Sequence, residues 1–209
     1  MRRPEFIARQ ARCPSGLIGH VLGRVMAVET ADDNKRAVEL LAPQLADHVL
    51  EIGFGHGRSI ARVAMLAKGG FVAGVDISER MLQMARRFNR RLIEQGQVDL
   101  RLLESTAIPY GDGRFDKIFS VHTIYFWPNP RDTFAEIRRV MKPRASLVLG
   151  FRSAEDPGLV REFPVSIYRF YRSDEVRALL DTVGFAEVRF VPSDGNPRKV
   201  IFAVARNPN

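Results

Sequence analysis

The sequence predicts an α/β fold: a seven-stranded, mostly parallel sheet with helices on both faces and an antiparallel hairpin at its C-terminal end. Three observations carry that prediction. From residue 48 onward, short apolar runs alternate with amphipathic stretches of helical period. The segment VLEIGFGHGRS (49–59) turns a strand into a helix through closely spaced glycines. The last two apolar runs have only a turn between them, far short of the dozen or so residues that a parallel crossover needs.

Taken in order, the first forty-odd residues read as helical pieces broken at Cys13-Pro14-Ser15-Gly16, an N-terminal extension or lid over residues 1–45. The core then runs from 46 to 209 as one domain. Strands are expected at 48–53, 71–77, 98–103, 115–121 and 145–151, because each is a short apolar run bounded by turn residues. Helices are expected at 58–67, from Ser78 onward with Met81, Leu82, Met84, Ala85 and Phe88 on one face, and at 130–141 before Lys142-Pro143. Residues 152–172 are less regular. Ser173-Asp174-Glu175 opens another helix, stopped by Gly184, and strands at 186–191 and 199–205 close the chain around the turn-rich 192–197.

With 45% hydrophobic and 27% charged residues among 209, the composition is that of a globular domain with a sizeable core. No apolar run approaches the ~20 residues of a membrane-spanning helix. Glu5, Arg9, Gln10 and Arg12 interrupt what would have to be the apolar part of a signal peptide, so a cytoplasmic location is expected. The single cysteine, Cys13, excludes an intramolecular disulfide and a multi-cysteine zinc site. The four histidines (His20, His48, His56, His122) lack helical metal-site spacing, and no metal is expected. The formal charge is +8, but only five of the 32 basic residues are lysine and the arginines are spread along the chain. That pattern reads as a solvated basic surface, with nucleic acid disfavoured as a partner.

The most informative segment is the loop Gly53-Phe54-Gly55-His56-Gly57. Glycine at every second position lets the backbone turn tightly and approach a ligand, and the helix behind it offers free N–H groups. Asp76 ends the next strand about twenty residues on, where an acid in nucleotide-binding α/β folds accepts from ribose hydroxyls. The spacing G-x-G-x-G differs from the G-x-G-x-x-G that suits a dinucleotide pyrophosphate. Gly57-Arg58-Ser59 also lacks the lysine of a phosphate-binding P-loop.

VLEIGFGHG (49–57), GVDIS (74–78), LLESTAIPY (102–110), FDKIFSVHTIYF (115–126) and EIRRVMKP (136–143) together resemble the class I, Rossmann-like, S-adenosylmethionine-dependent methyltransferases. Within them the chain is similar to the small-molecule branch that includes quinone-biosynthesis C-methyltransferases, over roughly residues 45 to 206. The resemblance implies S-adenosylmethionine as cofactor and S-adenosylhomocysteine as product. It implies that Glu51 and the loop Gly53, Phe54, Gly55 and Gly57 hold the methionine and ribose side. Asp76 would take the ribose hydroxyls, Ile77 would pack on adenine, and Glu104 and Ser105 would stand beside it. His122 would face the sulfonium end. The chain departs from the family pattern at Glu104, where Asp is usual, and at Arg144-Ala145, where Gly-Gly is common.

Methyl transfer from a sulfonium is an in-line displacement, so the protein positions the acceptor and excludes water; a base is needed only where the acceptor holds a proton of high pKa. Candidates for that base are His122, Tyr125 and His20. The acceptor is expected to be a small molecule, and the aromatics Phe163, Tyr168, Phe170 and Tyr171 suggest a partly apolar one. A second expectation is peripheral membrane contact through the arginine-bearing N-terminus. RNA or DNA methylation and non-catalytic nucleotide binding are the alternatives.

Overall fold

The computed structural model describes residues 3–193 and 199–208, excepting the side chains of Leu17, His20 and Val160. The turn expected at 192–197 therefore falls largely outside the described residues, as does the His20 imidazole. Three helices come first: α1 (Glu5–Arg12), α2 (Gly16–Glu29) and α3 (Ala31–Leu41). The alternation then runs β1 (His48–Ile52), α4 (Arg58–Leu66), β2 (Phe71–Asp76), α5 (Glu79–Phe88), α6 (Arg90–Glu94) and β3 (Val98–Leu102). It continues with β4 (Phe115–Val121), α7 (Pro130–Val140), β5 (Met141–Arg152) and α8 (Pro157–Glu162). The chain closes with α9 (Ser173–Val183), β6 (Ala186–Pro192) and β7 (Val200–Arg206).

The seven strands make one sheet in the order β3-β2-β1-β4-β5-β7-β6. β1 to β5 pair in parallel, and β7 runs antiparallel to both β5 and β6. The expected C-terminal hairpin is present, with its second strand inserted beside the parallel part. Strand order reverses at β1, between β2 and β4. An open α/β sheet leaves a crevice beyond the strand carboxyl ends at such a point.

Alternation along the strands builds a core on each face of the sheet. Val49, Val72, Phe119 and Val148 join Ala37, Val38, Ile60 and Val63 from α3 and α4. Leu50, Ile52, Ile118 and Leu149 join Phe134 and Ile137 of α7 and Val176 and Leu180 of α9. Phe134 is fully buried, and truncating it to alanine would cost about 3–5 kcal/mol.

Four boundaries differ from the sequence expectation, each for a local reason. α3 packs its Ala37, Val38 and Leu41 into the core, so the helical layer of the domain begins before residue 45. The helix after Ser78 stops at Asn89, whose side-chain amide donates to the carbonyls of Gly57 and Ala85, and a short α6 follows. β5 starts at Met141 rather than Ala145, with Arg144 in the left-handed region at φ 62° where the family pattern has glycine. The stretch 152–172 contains α8, capped by the Asp156 carboxylate accepting from Gly158 N–H.

Candidate functional site

The cleft lies over the carboxyl ends of β1, β2 and β4 and encloses about 1150 Å³ of space, part of it open to solvent. Its floor is the glycine loop. Gly53 donates its N–H to Val75 O at 2.8 Å, which draws the start of the loop against β2. Its φ is 76°, and a Cβ there would lie 2.3 Å from the Thr123 methyl, so only glycine fits between β1 and the segment after β4. Gly55 is different: φ is 52° and an added Cβ would meet nothing within 4 Å, so its backbone faces open cleft. Gly57 caps α4 and packs on Ala85 of α5, away from the cleft wall.

Two acids flank that floor, Glu51 buried and Asp76 half-buried. Glu51, only 2% exposed, takes the Ser59 hydroxyl at 2.6 and 2.7 Å on its two oxygens. Burial pushes its carboxyl up to about 8; the Ser59 bond opposes that rise and the neighbouring Asp76 charge adds to it. Asp76 accepts from Gly55 N–H at 2.9 Å through one oxygen and from Ser78 N–H at 2.8 Å through the other. Burial raises its carboxyl as well, against the lowering effect of those backbone donors. A carboxylate has about four acceptor positions, so Asp76 retains capacity for a ligand beside its backbone donors.

The mouth is apolar on one side. Ile77, next to Asp76, keeps 40% of its surface exposed on the cleft, which gives a flat ring something to lie on. Ser105 lines the same side and shares a hydrogen bond with Thr133 of α7, and Glu104 stands exposed at the rim. The turn between α1 and α2 closes over this end. Ser78, which caps α5 by accepting from Met81 N–H, donates its hydroxyl to Pro14 O at 2.6 Å.

At the other end, the wall is made by Met26 and Thr30 of the N-terminal helices and by Val121, His122, Phe126 and Trp127 after β4. His122 sits in the left-handed region at φ 60°. Its Nε2 lies 2.9 Å from the Asp33 carboxylate, and its Nδ1 lies 3.3 Å from the Tyr125 hydroxyl. Tyr125 is buried behind His122 rather than on the cleft wall; its hydroxyl accepts from Arg152 N–H, and burial pushes its phenol well up.

The fold thus brings Glu51, Gly53, Phe54, Gly55, Asp76, Ile77, Glu104, Ser105 and His122 to one cleft. Gly57 and Tyr125 support that wall from behind. Sequence reasoning missed Asp33, Thr30 and Asn34 on the N-terminal side and Ser59 on Glu51. Asp33 reads in sequence as an ordinary acid in the first turn of a helix, and its partner is 89 residues away. Ser59 was legible in principle, since Glu51 and a hydroxyl just past the glycine loop face each other across a strand–helix turn.

The donor set suits a nucleoside carrying an amino acid: open backbone at Gly55, the carboxyl groups of Glu51 and Asp76 for ammonium and hydroxyl groups, and an exposed apolar side chain for a base. The loop Gly53–Gly57 itself carries no lysine or arginine, and Arg58 follows it at the start of α4.

Comparison with known proteins agrees with that chemistry. Residues 50–149, from β1 to β5, match the family described as a methyltransferase domain. An O-methyltransferase, cnsE, of Penicillium expansum is 27% identical over 69% of this chain and 54% of its own length. A demethylmenaquinone methyltransferase of Clavibacter sepedonicus is 31% identical over 58% of this chain and 47% of its own. The chain spans about half the length of these two curated relatives. In fold it is similar to an S-adenosylmethionine-dependent methyltransferase from Aquifex aeolicus, with a TM-score of 0.69, 23% identity, and coverage of 83% of this chain and 89% of that one.

Proposed function

We propose, for a chain that carries the class I S-adenosylmethionine-dependent methyltransferase domain, that it transfers the methyl group to a small, partly apolar acceptor. The observation that carries the reading is the cleft itself: a glycine floor with Glu51 and Asp76 at one end, and an acceptor-sized wall of Met26, Phe126, Trp127 and His122 at the other. The bound sulfonium supplies an activated methyl. Asp76 accepts from the ribose hydroxyls, and Glu51, once ionised, pairs with the amino-acid ammonium. Ile77 covers the adenine, with Glu104 and Ser105 at its edge. Val121, Phe126 and Trp127 exclude water from the path of in-line transfer, where a dry pocket favours loss of charge from sulfur.

A specific feature favours an acceptor of lipid-like character. Ile18, Val21, Val25 and Val28 on the outer face of α2 are 56%, 62%, 46% and 71% exposed, while Gly23 and Met26 on its inner face line the cleft. With Arg9, Arg12 and Arg24 nearby in sequence, that face suits peripheral contact with an anionic membrane. Among the described residues no helix is long and apolar enough to cross a membrane.

The test uses tritium-labelled methyl on S-adenosylmethionine, offered with low-molecular-weight extract, total RNA and lipid vesicles in parallel. Label in solvent-extractable small molecules supports the reading. Label confined to acid-precipitable RNA would replace it with nucleic-acid methylation.

A further inference from the structure

S-adenosylmethionine brings a sulfonium, an ammonium and a carboxylate to the methionine end of the cleft, and the reading above gives the carboxylate no partner. The loop Gly53–Gly57 holds no lysine or arginine, and Arg58 behind it is exposed and off the cleft wall. Among the described residues the one guanidinium on that wall is Arg12, at the end of α1. Its neighbour Cys13 has its thiol 3.8 Å from Ile77 O, at the end assigned to adenine. Backbone donors are scarce as well: Gly53 N–H goes to Val75 O, Gly55 N–H to Asp76 and Gly57 N–H to Phe54 O. A carboxylate arriving at this loop is short of donors.

The loop has one polar side chain, His56, a half-buried ring that lines the cleft. Its Nδ1 accepts from Arg58 N–H at 3.2 Å. The accepting nitrogen carries the lone pair, so in the neutral ring the hydrogen sits on Nε2. Protonating Nδ1 would turn two N–H groups against each other. Burial, and after it the Arg58 charge, push the imidazole down to about 4, so the ring stays neutral at physiological pH. Among the described residues nothing accepts from Nε2–H. The two acids of the floor take other donors: Glu51 the Ser59 hydroxyl, and Asp76 the N–H groups of Gly55 and Ser78. The acceptor for Nε2–H is therefore solvent or a ligand.

We propose that His56 is a cofactor-binding residue whose Nε2–H donates to the carboxylate of S-adenosylmethionine, a neutral donor where a cation would be expected. This rests on the methyl-transfer reading above. A fixed cation at this end would share the space with the sulfonium and the ammonium and repel both. The imidazole N–H holds the anion without adding charge, and a hydrogen bond to an ionised group is about twice as strong as one between neutral groups. Arg58 N–H fixes the tautomer of the ring before any ligand arrives, so binding needs no proton rearrangement. The consequence is selectivity: the cleft prefers a cofactor that keeps its carboxylate, and that preference belongs to one side chain.

Calorimetry on the full chain compares wild type, His56→Phe and His56→Gln, each titrated with S-adenosylhomocysteine and with its decarboxylated analogue. His56→Phe keeps a ring and removes the donor. It should weaken S-adenosylhomocysteine about 10- to 100-fold and the analogue by less than about twofold. His56→Gln returns an N–H at similar reach and should recover part of the loss. A purely structural role for the ring would weaken both ligands alike. Nitrogen NMR of the wild type should show Nε2 protonated and Nδ1 bare, with the Nε2–H signal moving on addition of S-adenosylhomocysteine and not of the analogue. That measurement serves if His56→Phe does not fold. Equal loss for both ligands, no loss in His56→Phe, an Nδ1-protonated ring, or an Nε2–H signal indifferent to the carboxylate would overturn the proposal. A wild type that binds neither ligand would instead remove the methyl-transfer reading, whereas unchanged affinity in His56→Phe removes this proposal alone.

Discussion

Around the glycine loop, the groups that line the cleft come from residues 51–56 and 75–77, two short segments at the ends of adjacent strands. Around His122 they come from residues 26–34 and 121–127, which are far apart in the chain and meet only because α3 packs across β4 and β5. The first end is made largely of backbone: positive φ at Gly53 and Gly55, and N–H groups on Asp76. The second is made of side chains, with a buried acid, an imidazole and an apolar wall. Backbone sites leave a local signature in sequence because only certain residues permit the geometry. Side-chain sites assembled by packing leave none.

Substitutions at the two ends should therefore fail differently. The largest effect is expected from Asp76→Ala, which removes the carboxylate proposed to accept from ribose and also strands the N–H groups of Gly55 and Ser78. Affinity for S-adenosylhomocysteine should fall on the order of 100-fold by calorimetry, corresponding to roughly 3 kcal/mol for lost charge-assisted hydrogen bonds. An unchanged affinity would dissociate Asp76 from the site. Next is Gly53→Ala, where strain at φ 76° adds to a clash with Thr123. It should cost about 2–4 kcal/mol in denaturant unfolding, and Thr123→Ser, which removes the clashing methyl, should restore part of that. Full stability of the single variant would mean that the loop relaxes freely.

Glu51 gives a pH signature confined to the cofactor end. Burial raises its folded-state pKa from 4.5 to about 8, so the folded chain favours the protonated form. That contribution is fully present below pH 4.5 and is lost as pH rises through about 8. Relative to Glu51→Gln, the ligand-free wild type should lose thermal stability between those limits; parallel Tm curves for the two proteins would contradict the assignment. The smallest effect on the cofactor is expected from Val25→Glu on the outer face of α2. It should leave S-adenosylhomocysteine affinity unchanged while reducing co-sedimentation with vesicles containing anionic lipid, and equal sedimentation of both proteins would discard the membrane contact.

The same contrast explains what could be read in the sequence. The strand–helix alternation, the parallel sheet and the terminal hairpin followed from apolar period and from the short last connection. The glycines and Asp76 were legible because their spacing encodes a strand–turn–helix unit, whereas Glu51 was singled out only through the family resemblance. α3 was read as part of an extension because its apolar positions are few and its acids many; its burial against the sheet is a tertiary fact. Arg144 at positive φ and the early start of β5 were hidden for a related reason, since pairing of Met141 with Phe115 and the bonds of Asn207 to Met141, Lys142, Arg144 and Ala145 carry the strand through the Lys-Pro break. Asp33 carried no signal at all, because nothing near it in sequence distinguishes a helix-start acid from the partner of a distant imidazole.

The central claim is that the cleft over β1, β2 and β4 binds S-adenosylmethionine and not a dinucleotide. Titration of the purified chain with S-adenosylhomocysteine in a calorimeter, with NAD run under the same conditions, tests it most directly. Micromolar binding of S-adenosylhomocysteine with no heat from NAD is the predicted result. Binding of NAD, or of neither ligand, would contradict the account.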